Sequence, residues 1–232
     1  MSDRFLRWKA RSISLVGLDG SGKSTQVSYL REILQKQNFE VMVIHPFGWK
    51  ILSFLSQSSI DLSTNGRDGK QGHSGPGLSA RVRQLVTWIE VCDIALYVWF
   101  NFLLFLFYAF MMKKQVWLVS DRSFDDILVK HMYRKTLTPF VIKTIRRFIP
   151  RTGKTIWLQT DPTVAMKRDQ EFPESYYREL EDCYFSAAKQ FGWEIVPTTQ
   201  RSPEAVLANM KAILNLPVTH NRIEQPIELS SG

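Results

Sequence analysis

The nonapeptide Gly17-Leu18-Asp19-Gly20-Ser21-Gly22-Lys23-Ser24-Thr25 constrains the fold of this chain more than any other stretch. It satisfies the spacing G-x-x-x-x-G-K-[ST], which works only when a strand runs into the first glycine and a helix leaves the hydroxyl residue. Both neighbours are legible. Ser12 to Val16 is a short apolar run, and Ser24 to Gln37 carries Val27, Leu30, Ile33 and Leu34 on one helical face. Strand, glycine-rich turn and helix N-terminus together form an anion cradle. The small residues from Gly17 to Gly22 let backbone N–H groups point inward around a phosphate, and the helix adds its partial positive charge. Lys23 supplies a point charge toward the β and γ phosphates of a nucleotide. Gly17, Asp19, Gly20, Ser21, Gly22, Lys23, Ser24 and Thr25 are thus the expected phosphate-binding residues, with the Ser24 hydroxyl as a ligand for Mg²⁺.

The remaining pattern suits a parallel α/β domain, because short apolar runs alternate with longer amphipathic ones. Further strands are expected at Val41 to Ile44, Val116 to Ser120, Ile156 to Thr160 and Glu194 to Val196. Helices are expected at Phe124 to Arg134, Pro139 to Phe148, Pro173 to Phe191 and Pro203 to Leu214, two of them opened by proline at a first turn. One domain over residues 1–215 accommodates them all. Inside it, Ser56 to Ser79 holds five glycines amid polar residues and reads as a mobile surface loop; residues 216–232 read as a loosely held tail.

Apolar residues make up 44% and charged residues 22%, which excludes wholesale disorder and a multi-pass membrane protein. Two cysteines, Cys92 and Cys183, are too few for a disulfide framework. The basic segment Met1 to Ser12 lacks the apolar core of a secretory leader, so a cytoplasmic location is expected. Lys and Arg exceed Asp and Glu by eight, a surplus suited to polyanionic partners.

One segment stands apart. Ile94 to Met112 carries no charge, is rich in Phe, and is followed by Lys113-Lys114. Its length is that of a membrane span. A span here would put the strands before it and after it on opposite sides of a bilayer, although they belong to one sheet. The expectation is therefore a helix buried in the domain, its surplus apolar face covered by a second subunit in a homodimer. Peripheral membrane contact through residues 94–112 is the alternative.

Three further stretches join the nonapeptide in one resemblance. Ser120-Asp121-Arg122-Ser123-Phe124 follows the third strand, Val164-Ala165-Met166-Lys167-Arg168 follows the fourth, and Ser202-Pro203-Glu204-Ala205-Val206 opens the last helix behind Thr198-Thr199-Gln200. With Asp19 inside G-x-D-G-x-G-K-S-T, this set resembles the thymidylate kinase family over about Ile13 to Leu214. The resemblance implies a P-loop NTPase three-layer fold, with a five-stranded parallel sheet of order 2-3-1-4-5 flanked by helices. It implies transfer of the ATP γ-phosphoryl group, with Mg²⁺, to a nucleoside monophosphate. Carried over, Arg122 clamps the acceptor phosphate, Asp19 contacts the acceptor, and Asp121 holds Arg122 or the Mg²⁺ water shell. Gly20 stands where some family members place an arginine, which leaves Lys167 and Arg168 of the lid to supply transition-state charge. Lys23, Arg122, Asp121 and Arg168 are accordingly the expected catalytic group, and Ser24 and Asp121 the metal-binding pair.

The acceptor side departs from the family pattern. Where the family has an R-E-P-G-like stretch, this chain has Ile44-His45-Pro46-Phe47-Gly48, and no arginine occurs between Arg83 and Arg122. Phe47, Arg81, Asp19 and Arg122 are the expected acceptor contacts, with Arg83 as a substitute for Arg81. Besides a nucleoside monophosphate kinase, the residues leave open a P-loop kinase of another small hydroxyl or phosphate compound. They also leave open a nucleotide-binding, membrane-associated regulatory protein. Nucleic acid is not an expected partner.

Overall fold

The computed structural model describes residues 11–45, 80–111 and 115–216 of the 232-residue chain. Five strands, β1 (Ser12–Val16), β2 (Glu40–Ile44), β3 (Val116–Asp121), β4 (Lys154–Gln159) and β5 (Glu194–Pro197), form one sheet of order β2-β3-β1-β4-β5. Every neighbouring pair is parallel; Ser14, for example, sits beside Ser120 of β3 and Thr155 of β4. The expected order 2-3-1-4-5 is thus found. Parallel strands need crossovers, and helices supply them. They are α1 (Lys23–Lys36), α2 (Ala80–Met111), α3 (Phe124–Arg134), α4 (Pro139–Phe148), α5 (Pro162–Asp169), α6 (Glu174–Phe191) and α7 (Pro203–Leu214).

The sheet is buried on both faces, and the strand period of two divides its side chains. Ile13, Leu15, Ile156 and Leu158 point toward Val27, Leu30 and Leu34 of α1 and Val206 and Met210 of α7. Val16 and Trp157 point the other way, onto Val129 of α3 and Leu180, Tyr184 and Ala187 of α6. Local chemistry starts and stops the helices where the side chains say. Ser123 caps α3 in a reciprocal box with Asp126, and Thr138 and Ser202 cap α4 and α7 ahead of a first-turn proline.

Two elements differ from expectation. Residues 162–169 form a helix of their own, capped by the Asp161 side chain accepting from the Thr163 N–H at 2.8 Å. Asp-Pro-Thr is a helix-start signal that the resemblance to a lid segment had obscured. The larger difference is α2, which begins at Ala80 and runs 32 residues. Its stretch Thr87–Met111 is long and apolar enough to cross a membrane, yet only 11% of the most apolar part is buried. The domain covers only one stripe of it, because α2 rests on a single layer, and the expected surplus apolar face lies bare. Val91 packs against Phe124, Leu128 and Ile142, and Phe105 against Val116 and Leu118. A helix touching one layer covers one stripe and leaves the rest bare.

At the carboxyl end of the described chain, Leu216 lies in the core beside Met210, although it was counted with the tail. The loop of residues 56–79 and the remaining tail lie outside the described residues.

Candidate nucleotide-binding site

Between the end of β1 and the start of α1 the chain makes the turn that its glycines permit. Gly20 and Gly22 have φ of 81° and 87°, in the left-handed region that side chains disfavour. At Gly20 a Cβ would also come within 2.7 Å of the Ala165 carbonyl oxygen. No arginine fits there while α5 lies so close. Instead Arg168, at the end of α5, donates from Nη1 to the Gly20 carbonyl at 3.0 Å. Arg168 thereby reaches the glycine turn from α5.

Lys23 is buried. Its ammonium donates to the loop's own carbonyls at Gly17 (2.8 Å) and Leu18 (2.6 Å) and lies 3.8 Å from Asp19. Burial pushes its pKa below the ordinary value, while Asp126, Asp19 and Asp121 oppose that shift. Beside it the Ser24 hydroxyl donates to Asp121 Oδ2 at 2.9 Å, and His45 Nδ1 lies 3.4 Å from the same oxygen. The other oxygen, Asp121 Oδ1, is buried and accepts no hydrogen bond from any described residue. A buried carboxylate oxygen without a donor suits a cation or its water, so Ser24 and Asp121 fit a Mg²⁺ site.

Arg122 follows Asp121 with φ 81°, a conformation that costs a side-chain-bearing residue about 1–2 kcal/mol. Its N–H donates to the Leu15 carbonyl at 3.0 Å and its carbonyl accepts from Ser120 Oγ. So held, the guanidinium pairs with Asp19 Oδ1, and Lys130 approaches Asp19 Oδ2 at 3.8 Å. Burial alone pushes the Asp19 carboxyl up, but Lys130, Arg122 and Lys23 outweigh it and hold the group below its usual range. Burial likewise lowers the Arg122 pKa, and Asp19 and Asp126 more than restore it.

Two residues that motif reading passed over hold these pieces in register. Asp126, fully buried, accepts from the Gly17 N–H (3.3 Å), the Ser123 N–H (3.0 Å) and the Tyr184 hydroxyl (2.6 Å). It ties the phosphate loop to the turn after β3 and to α6. Burial raises the pKa of both Asp126 and Tyr184. The available signal was Asp126 in the capping box of α3, which points its carboxylate back toward β3.

A cleft of about 590 Å³ opens over the loop, lined among others by Lys23, Arg122, Arg168, Thr198 and Arg201. That size is ordinary for a small-molecule site. Arg201 is a cation at its far wall that the sequence did not single out. Of the expected site residues, Gly17, Asp19, Gly20, Ser21, Gly22, Lys23, Ser24, Thr25, Asp121, Arg122 and Arg168 come together. Arg81 lies in the first turn of α2, and Phe47 is outside the described residues.

A parallel sheet of order 2-3-1-4-5 with this loop after β1 defines the P-loop NTPase kinase fold. Among solved structures the chain is similar to a thymidylate kinase from Ehrlichia chaffeensis, with a TM-score of 0.53 and 16% identity, over 88% of this chain and 97% of that one. No family model and no curated protein matches the sequence. At that identity the likeness is one of fold: a nucleotide kinase fold.

Proposed function

We propose that the chain transfers the γ-phosphoryl group of ATP, in the presence of Mg²⁺, to a nucleoside monophosphate. The observation that carries the reading is the two-sided cleft. Lys23 and Ser24 line it with Asp121 Oδ1 buried and donor-free beside Ser24, and the Arg122–Asp19 pair that also lines it is the part we assign to the acceptor. Phosphoryl transfer needs little beyond positioning and charge neutralisation, and this cleft offers both. Lys23 swings from its own loop carbonyls to the β and γ phosphates. Ser24 and Asp121 would hold Mg²⁺, which would neutralise phosphate oxygens. Arg122 presents a planar fork to the acceptor phosphate. Arg168, already on the Gly20 carbonyl, is placed to meet charge that develops on the transferred group.

The altered stretch after β2 and the lack of arginine from residue 84 to residue 121 bear on which acceptor is used. The deciding experiment supplies the purified chain with ATP, Mg²⁺ and each nucleoside monophosphate in turn. Turnover with one of them and its loss in Lys23→Met support the reading. ATP hydrolysis or binding without transfer to any of them overturns it in favour of another acceptor or a regulatory role. The homodimer expected from the sequence would cover α2; the surface chemistry set out below favours another cover.

A further inference from the structure

From Ile94 to its end at Met111 the exposed side of α2 is dominated by apolar side chains. Leu96, Phe100, Leu103, Phe107 and Phe110 recur at i, i+4, i+7, i+11 and i+14, one row of a helix, and are 53–80% exposed. No charge interrupts the helix between Asp93 and its end at Met111. Trp99 and Tyr108 flank the row and are themselves exposed. A face this large is not left to water in a soluble protein.

The helix does not span a bilayer. It connects β2 to β3, and these two strands are hydrogen-bonded neighbours, with Val41 beside Trp117 and Val43 beside Val119. Val91 packs on α3 and Phe105 on β3, so both halves of α2 lie against the one domain on one side of any membrane. In-plane contact and a second copy remain, and the surroundings of the row distinguish them. Along its Trp99 flank runs a groove of about 800 Å³, walled by Trp99, Phe102 and Leu106 on one side and by Arg147, Phe148 and Arg151 on the other. Arg147 and Arg151 are exposed, and Phe148 is 69% exposed between them. Apolar side chains at one level, with Trp and Arg at their edge, match the boundary between acyl chains and anionic headgroups. The chain's surplus of eight positive charges points the same way.

We infer that the outer face of α2 and the Arg147–Arg151 rim dock this protein in the plane of an anionic phospholipid membrane. Aromatic side chains enter the acyl boundary, and the two arginines bind lipid phosphates. The rim lies at the amino-terminal end of β4, away from the phosphate loop, so the nucleotide cleft stays open to solution. This docking holds whatever the cleft phosphorylates, because it uses none of the cleft's residues.

The test is co-sedimentation of the full chain with vesicles of phosphatidylcholine alone and with phosphatidylglycerol added, alongside light scattering without detergent. Binding is expected to anionic vesicles and to weaken with salt. Each arginine near a charged surface contributes roughly fivefold, so Arg147→Gln with Arg151→Gln should weaken binding by about 25-fold. Phe107→Ser with Phe110→Ser should weaken it by a similar or larger factor, through exposed positions whose loss leaves the core untouched. The arginine pair keeps the test sound should the phenylalanine variant misfold. Absence of vesicle binding together with a mass twice the 27.0 kDa of one chain assigns the face to a second copy and overturns the inference. Equal binding to neutral vesicles, unaffected by the arginine changes, overturns it as well.

Discussion

Replacing Arg122 by glycine and by alanine separates the shape of the backbone from the chemistry of the side chain. Both variants lose the guanidinium and its pair with Asp19, and that loss cancels when they are compared. Asp19 keeps Lys23 and Lys130, each 3.8 Å away. What differs is the left-handed conformation at φ 81°. Alanine bears about 1–2 kcal/mol there and glycine almost none. Glycine also loosens the unfolded chain, which takes back about 0.4–1 kcal/mol. Arg122→Gly should therefore be more stable than Arg122→Ala by roughly 0.5–1 kcal/mol, or about 2 °C in melting temperature for a domain of this size. Thermal melts followed by circular dichroism measure the difference. If Arg122→Ala melts as high as Arg122→Gly, the strained backbone described above is wrong. In activity the two should fall together, by about 10²–10³, with acceptor use lost and ATP affinity kept. Equal losses for both substrates would move Arg122 to the ATP side of the cleft.

Three other perturbations test separate parts of the site. Lys23→Met should leave the fold intact and lower turnover by about 10²–10³, as for loss of one transition-state contact; unchanged turnover excludes phosphoryl transfer on this loop. Asp126→Asn keeps one oxygen, either for Gly17 and Tyr184 together or for Ser123, and turns an amide N–H₂ against the donors on the other side. It should destabilise the chain by about 1–3 kcal/mol and weaken ATP binding, and a denaturant titration with native stability would show that the buried carboxylate holds nothing together. His131 is buried, and burial together with Arg134 lowers its pKa from 6.5 to about 4. The native state thus favours the neutral ring: its contribution is present above pH 6.5 and is lost as pH falls toward 4, at most about 3 kcal/mol. Stability measured from pH 7 to pH 4 should fall less steeply in His131→Asn, and parallel curves would remove His131 as the cause.

What was legible in the sequence had a short-range cause. The helices α3, α4 and α7 were legible close to their bounds, and the structure shows Ser123, Thr138 and Ser202 capping them, a cause that acts within a few residues. The phosphate loop was legible because a backbone cradle demands glycines at fixed steps. Asp126 was not, since its three donors come from residues 17, 123 and 184, which only the folded sheet brings together. The surplus apolar face of α2 was expected from its uncharged run, but which stripe stays bare was not. An uninterrupted apolar run looks the same to the sequence whether one layer or two will cover it, and here the layer on α3 and β3 covers one stripe. Gly20 shows a middle case: its presence was plain, but the Ala165 carbonyl that forbids a side chain there was not.

The pairing of β2 with β3 governs the order in which this molecule can assemble. β1 also pairs with β3, so the strand between them in space is made only after residues 45–115 have left the ribosome. Until then the first two strands have no partner, and every contact that joins them is distant in sequence, a topology that folds in milliseconds to seconds, not microseconds. The apolar helix emerges during that interval, before the strand it rests on exists. For as long as synthesis takes to reach Asp121, at roughly 5–20 residues per second, the nascent chain exposes both faces of α2. A chaperone, or a nearby bilayer, meets this helix before its own sheet does.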